Sequence, residues 1–261
     1  MSSQDIHPQA IVAANAKLGL GVKVGAYAIV GDDVELGDGC VLHSHAVVLG
    51  PSRFGKNNIF HSFSCVGGDP QDLKFFREKT ELLAGESNTF REYATVSRGT
   101  VGGGGKTTIG SGSLIMASSH IGHDCHIGDQ TLFVNGATLA GHVTVEDFAT
   151  IGAFSPVHQF CRIGRYAYIG AATVITQDVL PFSKVVTERE TTNYGANAIG
   201  LERKGFSKER IQALQKAFRL LSRSKLNTTQ ALEEMRKSLN DSEDVQELIR
   251  FIGAAQRGVV K

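Results

Sequence analysis

IGSGSLIMASSHIGHDCHIGDQTLFVNGATLAGHVTVEDFATIGAFSPVHQFCRIGRYAYIGAATVI, residues 109–175, decides the fold. Every sixth residue is aliphatic or aromatic: Ile109, Ile115, Ile121, Ile127, Phe133, Leu139, Val145, Ile151, Val157, Ile163, Ile169 and Ile175. The same step taken from Ile6 runs through Val12, Leu18, Val24, Val30, Leu36, Leu42, Val48, Phe54 and Phe60 to Val66 without a miss. Four places after the aliphatic the residue is usually small or apolar, as at Ala28, Cys40, Ala46, Cys125, Ala137, Ala149 and Cys161. Neither the 3.6-residue period of a helix nor the alternation of a strand produces this pattern, but a chain that turns after every short strand does. Three hexads then close one coil around a triangular prism, and coils stack at the strand spacing of about 4.8 Å. The reading is a mainly β protein, a parallel β-helix of hexapeptide repeats, with glycine at the turns supplying positive φ.

Working outward, the repeat breaks at 68–83, which must project because the prism interior is full. Its phase shifts again at Val101-Gly102-Gly103-Gly104-Gly105-Lys106. That run approaches a phosphate-binding loop, but Thr100 stands where the first glycine belongs and a new hexad begins at Ile109 where a helix is required. Beyond about residue 180 the hexad gives way to helical signals. Ser207 precedes Ile211, Leu214, Phe218 and Leu221; Thr229 precedes Leu232 and Met235; Ser242 precedes Val245, Leu248, Ile249 and Ile252. The expected organisation is a β-helix over 1–190, with its projecting loop, and a small α-helical C-terminal domain over 191–261 holding three amphipathic helices. Such helices can cover the open end of a solenoid. Their basic residues, among them Arg203, Lys204, Lys208, Arg210, Arg219 and Arg223, could instead receive an acidic partner.

With 27 Lys plus Arg against 26 Asp plus Glu, the net charge of +1 lacks the basic excess of a nucleic-acid binder. Four cysteines without a CxxC pair argue against a disulfide framework or a zinc knuckle, and Cys125 and Cys161 fall on inward positions two coils apart. No apolar run reaches the length of a membrane span and the first residues lack a leader pattern, so the expected location is cytoplasmic.

Histidines in register carry the chemistry. His123, His142 and His158 follow Ile121, Leu139 and Val157, aliphatics eighteen residues apart, so stacking lifts all three onto one edge of the prism. His43 and His61 also differ by eighteen and read as a solvated ladder. His120 and His126, three residues either side of His123, read as lying at other corners of its coil or on its rim. The main cluster admits a hydrogen-bonded surface ladder, a metal site of three convergent nitrogens, or a general base. Asp124 directly after His123, and side-chain-free Gly141 one coil on, favour the base.

The ordered set His120-Ile121-Gly122-His123-Asp124-Cys125, Ala137-Thr138-Leu139-Ala140-Gly141-His142-Val143, Val157-His158-Gln159-Phe160-Cys161 and Pro70-Gln71-Asp72-Leu73-Lys74 closely resembles the UDP-N-acetylglucosamine O-acyltransferase family that begins lipid A biosynthesis. Gly200-Leu201-Glu202-Arg203-Lys204-Gly205-Phe206-Ser207 extends the likeness into the tail. The resemblance implies a left-handed prism, a homotrimer with sites between prisms, and acyl transfer from an acyl carrier protein thioester to the sugar 3-hydroxyl. It implies no metal and no cofactor beyond the donor's own phosphopantetheine. Carried over, His123 is the base, Asp124 orients it, and the Gly141 N–H holds the oxyanion. Asp72, Lys74, His120, His142, His158 and Gln159 would hold the nucleotide sugar or position the donor, while Asn197 and Arg203 would grip the phosphopantetheine arm or the nucleotide phosphate. Ala171 maps to the end of the acyl channel, where some members carry glycine. Ile199 replaces a family Glu, and Arg203-Lys204 replaces an Arg-Arg pair. The rivals are a γ-class carbonic anhydrase, the pathway's sister N-acyltransferase, which starts with an extra domain, and a β-helical assembly subunit without activity.

Overall fold

In the computed structural model, residues 5–187, 193, 195–222, 224–255 and 259 are described. The chain divides into two compact units, Met1–Thr187 and Glu188–Lys261.

The first unit is a left-handed parallel β-helix with three faces. Most of its strands are two residues long, and each pairs in parallel with the strand one coil away, giving, among the described residues, sheets of ten, eight and eight strands. In the second sheet, Ile121 is paired with Leu139 and Leu139 with Val157, so the eighteen-residue coil is the true register. The aliphatic at each sixth position points inward, and from Val24 to Ile175 this column is almost wholly buried. Ile6, in the first described coil, is 39% exposed. The second inward position is equally full: Val22, Ala28, Cys40, Ala46, Cys125, Ala137 and Ala149 have no exposed surface. Burial pushes the Cys125 thiol up to about 12, and Cys161 is raised for the same reason. Both remain core-filling thiols.

The turns work differently from the sequence expectation. Among the described residues, seventeen non-glycine residues take φ between 51° and 67°, the left-handed region, at the third place after an inward residue; they include His45, Tyr93, Asp124, His142 and Phe160, while Gly21, Gly39, Gly112 and Gly136 hold the same place as expected. Stacking helps to offset the cost of about 1–2 kcal/mol per residue, as Tyr27, His45, Phe63 and Tyr93 pile ring on ring at centroid distances of 5.1, 5.2 and 5.4 Å. The glycines directly after the aliphatic serve close approach instead. A Cβ on Gly122 would lie 2.8 Å from the carbonyl carbon of Ala140 in the next coil.

The two phase breaks leave the prism at one corner. Phe60 pairs with Phe90, thirty positions on, and Phe90 with Ile115, twenty-five on, where an uninterrupted coil takes eighteen. The extra residues fall between the second and third sheets in successive coils. Strands Cys65–Gly68 and Glu81–Ala84 bracket the first excursion, narrowing the expected 68–83 loop to 69–80. The second contains a 3-10 turn, Val101–Gly103, followed by the strand Lys106–Ile109, so no helix follows the glycine run. Arg98, buried between the excursions, donates to the carbonyls of Gly50 and Gly67 at 2.8 Å and pairs with Asp69 at the root of the first.

Among the described residues the second unit has four helices rather than three: α1 (Ala198–Arg203), α2 (Lys208–Ser222), α3 (Thr228–Ser238) and α4 (Glu243–Gly253). One turn and a half with Gly200 inside is too short to display a period, which hid α1. Ser207 and Ser242 begin α2 and α4 as expected. The cap of α3 is Asn227, not Thr229, in a reciprocal pair with Gln230. Ala217, Leu221, Ala231, Met235, Val245 and Ile249 form the core. Arg210 makes a two-pronged pair with Asp244 at 2.7 and 2.8 Å, so its charge is met inside the unit instead of offered to a partner. Arg223 lies outside the described residues.

Phe90 is fully buried, stacked on Phe60 at 5.1 Å with Phe54 edge-on to both. Phe90→Ala is expected to lower the unfolding free energy by about 3–5 kcal/mol, read from urea unfolding followed by circular dichroism. A loss below about 1 kcal/mol would show that the prism collapses to fill the void.

Candidate active site

The corner that carries both excursions also carries the histidines. In the three coils that follow, the chain turns there at His123-Asp124, Gly141-His142 and His158-Gln159-Phe160. A cavity of about 450 Å³ opens on this edge, with His120, His123, Gly141, His158, Gln71 and Ser97 in its wall.

Asp124 is the buried centre of the cluster, with a fully enclosed side chain. Its Oδ2 lies 2.7 Å from His123 Nδ1 and 3.7 Å from His142 Nε2. The short contact assigns the His123 proton to Nδ1 and leaves the Nε2 lone pair unengaged by Asp124. The His123 and His142 rings meet edge to face at 5.2 Å, and His142 lies flat on Phe160 at 4.6 Å.

Gly141 is shaped by its neighbour. A Cβ there would lie 2.6 Å from His123 Cε1 and 2.8 Å from Nε2, so any side chain would push the imidazole away. The Gly141 N–H meets no protein acceptor among the described residues. Between the third and first sheets, the N–H in the same turn position is capped by an aspartate one coil on, as Leu20 is by Asp38 at 2.9 Å and Ser111 by Asp129 at 2.7 Å. Gln159 occupies that register above Gly141, and the donor stays open to the cavity.

His120 departs from the expected placement at another corner or on the rim. It sits on the strand leading into this corner, lines the cavity, and meets Thr95 Oγ1 through Nδ1 at 2.8 Å. Burial, and then the neighbouring His123, push its pKa down. His126 lies on the next face, exposed and bonded to Thr108. His43 and His61 stack at 4.7 Å as a ladder away from the cavity.

Within the prism, His142, Asp72, Lys74, Gln159 and Ala171 are not part of the cavity wall. Asp72 Oδ1 accepts the Lys74 N–H at 3.0 Å, an Asx turn that shapes the projecting segment, whose member in the wall is Gln71. Gln159 is exposed, with its carbonyl 3.1 Å from His158 Nδ1. Ala171 stands at the turn between the first and second sheets, a different corner of this chain. In the helical unit, Asn197 caps α1 and Arg203 is exposed in its last turn. Thr100 and Thr107, which the sequence reading left out, contact Asp124 directly; the signal available was the position of the glycine run one coil before His123.

His123, Asp124 and His142 present donor atoms within 4.8 Å of one another, a spacing that could admit a divalent ion. The donors are committed elsewhere. Asp124 accepts the Thr100 N–H and hydroxyl at 2.7 Å each, while His123 Nδ1 is turned to the same carboxylate. The cluster therefore suits an oriented imidazole better than a tetrahedral ligand set.

Comparison with known proteins bears on the whole chain. The family model "Udp N-acetylglucosamine O-acyltransferase; Domain 2" matches residues 178–260, and the "Bacterial transferase hexapeptide (six repeats)" model matches 15–50 and 106–141. The acyl-[acyl-carrier-protein]–UDP-N-acetylglucosamine O-acyltransferase of Xylella fastidiosa is 47% identical over 98% of this chain and 97% of its own. That of Alkalilimnicola ehrlichii is 50% identical over 98% and 99%. Among solved structures, LpxA from Acinetobacter baumannii shares 38% identity at a TM-score of 0.68, covering 98% of this chain and 99% of that one. The Francisella novicida UDP-N-acetylglucosamine acyltransferase shares 32% at 0.69, covering 98% and 93%.

The His120 ring is expected to titrate below the usual histidine value of about 6.5, read by nuclear magnetic resonance of ring-labelled histidine. A folded value held down means that the unfolded chain binds the proton more readily. The stability contribution is thus complete above about pH 6.5 and disappears as pH falls through the lowered folded value. A His120 midpoint at or above 6.5 would contradict the burial argument.

Proposed function

The chain belongs to the UDP-N-acetylglucosamine O-acyltransferase family, and from that premise we propose how its own residues carry the transfer. The activity moves an acyl chain from acyl carrier protein to UDP-N-acetylglucosamine, the first step of lipid A biosynthesis. In this reading His123 Nε2 removes the proton of the sugar 3-hydroxyl, and the resulting oxygen attacks the thioester carbonyl. Asp124 holds the imidazole in the required tautomer and stabilises the imidazolium that forms. Charge that develops on the carbonyl oxygen is met by the Gly141 N–H. Collapse breaks the carbon–sulfur bond; the imidazolium returns its proton to the departing sulfur, so the ester and the carrier thiol leave together with the base regenerated. The chemistry calls on no cofactor beyond the donor's own phosphopantetheine.

The observation that carries this reading is the adjacency of Gly141 and His123: the place of an absent Cβ lies 2.8 Å from Nε2, which puts base and N–H donor on one reacting centre. Stabilisation of this kind is worth about 10²–10³ in rate, and the donor meets no acceptor among the described residues. His120 and His158 line the same space, His142 stands beside His123 and Asp124, and all three are assigned to sugar and nucleotide contacts. Asp72, Lys74 and Gln159 stand outside the cavity wall of a single chain, and Asn197 and Arg203 are assigned to the phosphopantetheine arm or the nucleotide phosphate. A homotrimer, in which a neighbouring prism faces this corner, gives the outward segment and Ala171 a way to act. Under that arrangement Ala171 closes the acyl channel, and its methyl group shortens the chain accepted. Among the described residues, no helix is long and apolar enough to cross a membrane.

His123→Ala is expected to reduce kcat by about 10²–10⁴ while circular dichroism stays unchanged; full activity would remove His123 as the base. Gly141→Ala should cost at least about 10² in kcat/KM by displacing the imidazole and obstructing the donor. For chain length, Ala171→Gly is expected to raise turnover of the longer of two donors differing by four carbons, measured by mass spectrometry of the sugar product. Equal turnover of both donors by both proteins would refute the assignment.

A further inference from the structure

The glycine-rich excursion lies over the carboxylate that orients the base. Thr100 donates twice to Asp124, its N–H to Oδ1 and its hydroxyl to Oδ2, each at 2.7 Å, and Thr100 is itself only 8% exposed. The direction of the hydroxyl is set from behind: the Gly103 N–H donates to Thr100 Oγ1 at 3.2 Å, so that oxygen is an acceptor there and its own hydrogen is free for Asp124. Gly103 closes the turn against the carboxylate so tightly that any Cβ would overlap it. On the other side of the same residue, Thr107 Oγ1 accepts the Asp124 N–H at 2.8 Å, which steadies a main chain held at φ 59°. The excursion and the strand that follows it therefore hold Asp124 at its side chain and its backbone.

We infer that Thr100 is a positioning residue for the acyl transfer, locking the Asp124 carboxylate onto His123 in preference to His142. The inference rests on the reading of His123 as the base. Oδ2 is the oxygen that both imidazoles approach, at 2.7 Å from His123 and 3.7 Å from His142. Rotating the carboxylate toward His142 would break the two Thr100 bonds, one of them to each oxygen. A hydrogen bond to a charged acceptor is stronger and more directional than a neutral one, so the hydroxyl fixes which of two neighbouring imidazoles is oriented. The remaining glycines, Gly104 and Gly105 at φ 94° and 83°, return the chain to the strand that begins at Lys106.

The test compares Thr100→Val, which keeps the volume and the N–H but removes the hydroxyl, with Thr100→Ser, which keeps the hydroxyl. Full-length protein is assayed with UDP-N-acetylglucosamine and an acyl carrier protein thioester. Thr100→Val is expected to lose about ten- to a hundredfold in kcat, with KM for both substrates within about twofold of wild type. Thr100→Ser should restore kcat to within about threefold of wild type. The proton resonance of His123 Nδ1–H, observed with ring-labelled histidine, should move in the valine variant and return in the serine variant. If the valine variant does not fold, Thr100→Ala against Thr100→Ser asks the same question without an apolar intrusion. Wild-type kcat without the hydroxyl, a loss that serine does not repair, or an unmoved His123 resonance would each overturn the inference. His123→Ala run alongside separates the two levels, since retained activity there defeats the base assignment itself.

Discussion

Each strand of the prism has room for one large inward side chain, and that limit governs the rest of the molecule. A column of aliphatic and aromatic residues fills each face, and the places beside the turns take small residues or hydrogen-bonded polar ones such as Asn58 and Asn88. Close packing of this kind makes the coil length inflexible, because a slip of one residue would turn the buried column out to water. Extra chain can therefore enter only at a corner and must run outward. Stacked coils in turn hold corner residues in successive layers at about the spacing of strands.

The cluster around Asp124 follows from that stacking. Two short turns in consecutive coils bring His123, Gly141 and His142 together, and the coils before them supply Gln71 and Thr100 from their excursions and Ser97 and Thr107 from the strands that flank the second. The inner walls are backbone and core, which do not move readily, while the polar groups sit on turns whose φ values and ring stacking define where they point. Rigidity of this type suits chemistry that depends on an oriented imidazole and an N–H donor beside it. The helical unit uses another logic, with ordinary caps, a small apolar core and the Arg210–Asp244 pair between two helices.

Legibility in the sequence varied with the range of the interaction. The hexad showed the prism and its register, and counting by eighteens put His123, His142 and His158 on one edge because a coil of fixed length makes long-range neighbours predictable. The left-handed turns are legible only in part: local preference puts glycine at positive φ, as at Gly21, Gly39, Gly112 and Gly136, but aromatic rings stacked between coils hold Tyr27, His45 and Phe63 in the same conformation. Thr100 was passed over for a similar reason. A glycine run followed by lysine invites comparison with a phosphate loop, while its actual partner is a carboxylate twenty-four residues away, in the next coil. Asn227 displaced Thr229 as a cap because a reciprocal bond with Gln230 satisfies two backbone donors, a detail of geometry that spacing alone ranks no higher than the alternative.

What the sequence by itself determined is the repeat, the full interior and the edge on which the histidines fall, because each follows from one period and the volume of side chains. The tertiary structure alone decided that both excursions leave at that edge, that Thr100 and Gly103 close over Asp124, that Gly141 abuts the His123 ring, and that Ala171 stands at another corner. These are matters of how turns of differing length meet across coils, and they depend on distances of a few tenths of an ångström that no pattern of residue types encodes.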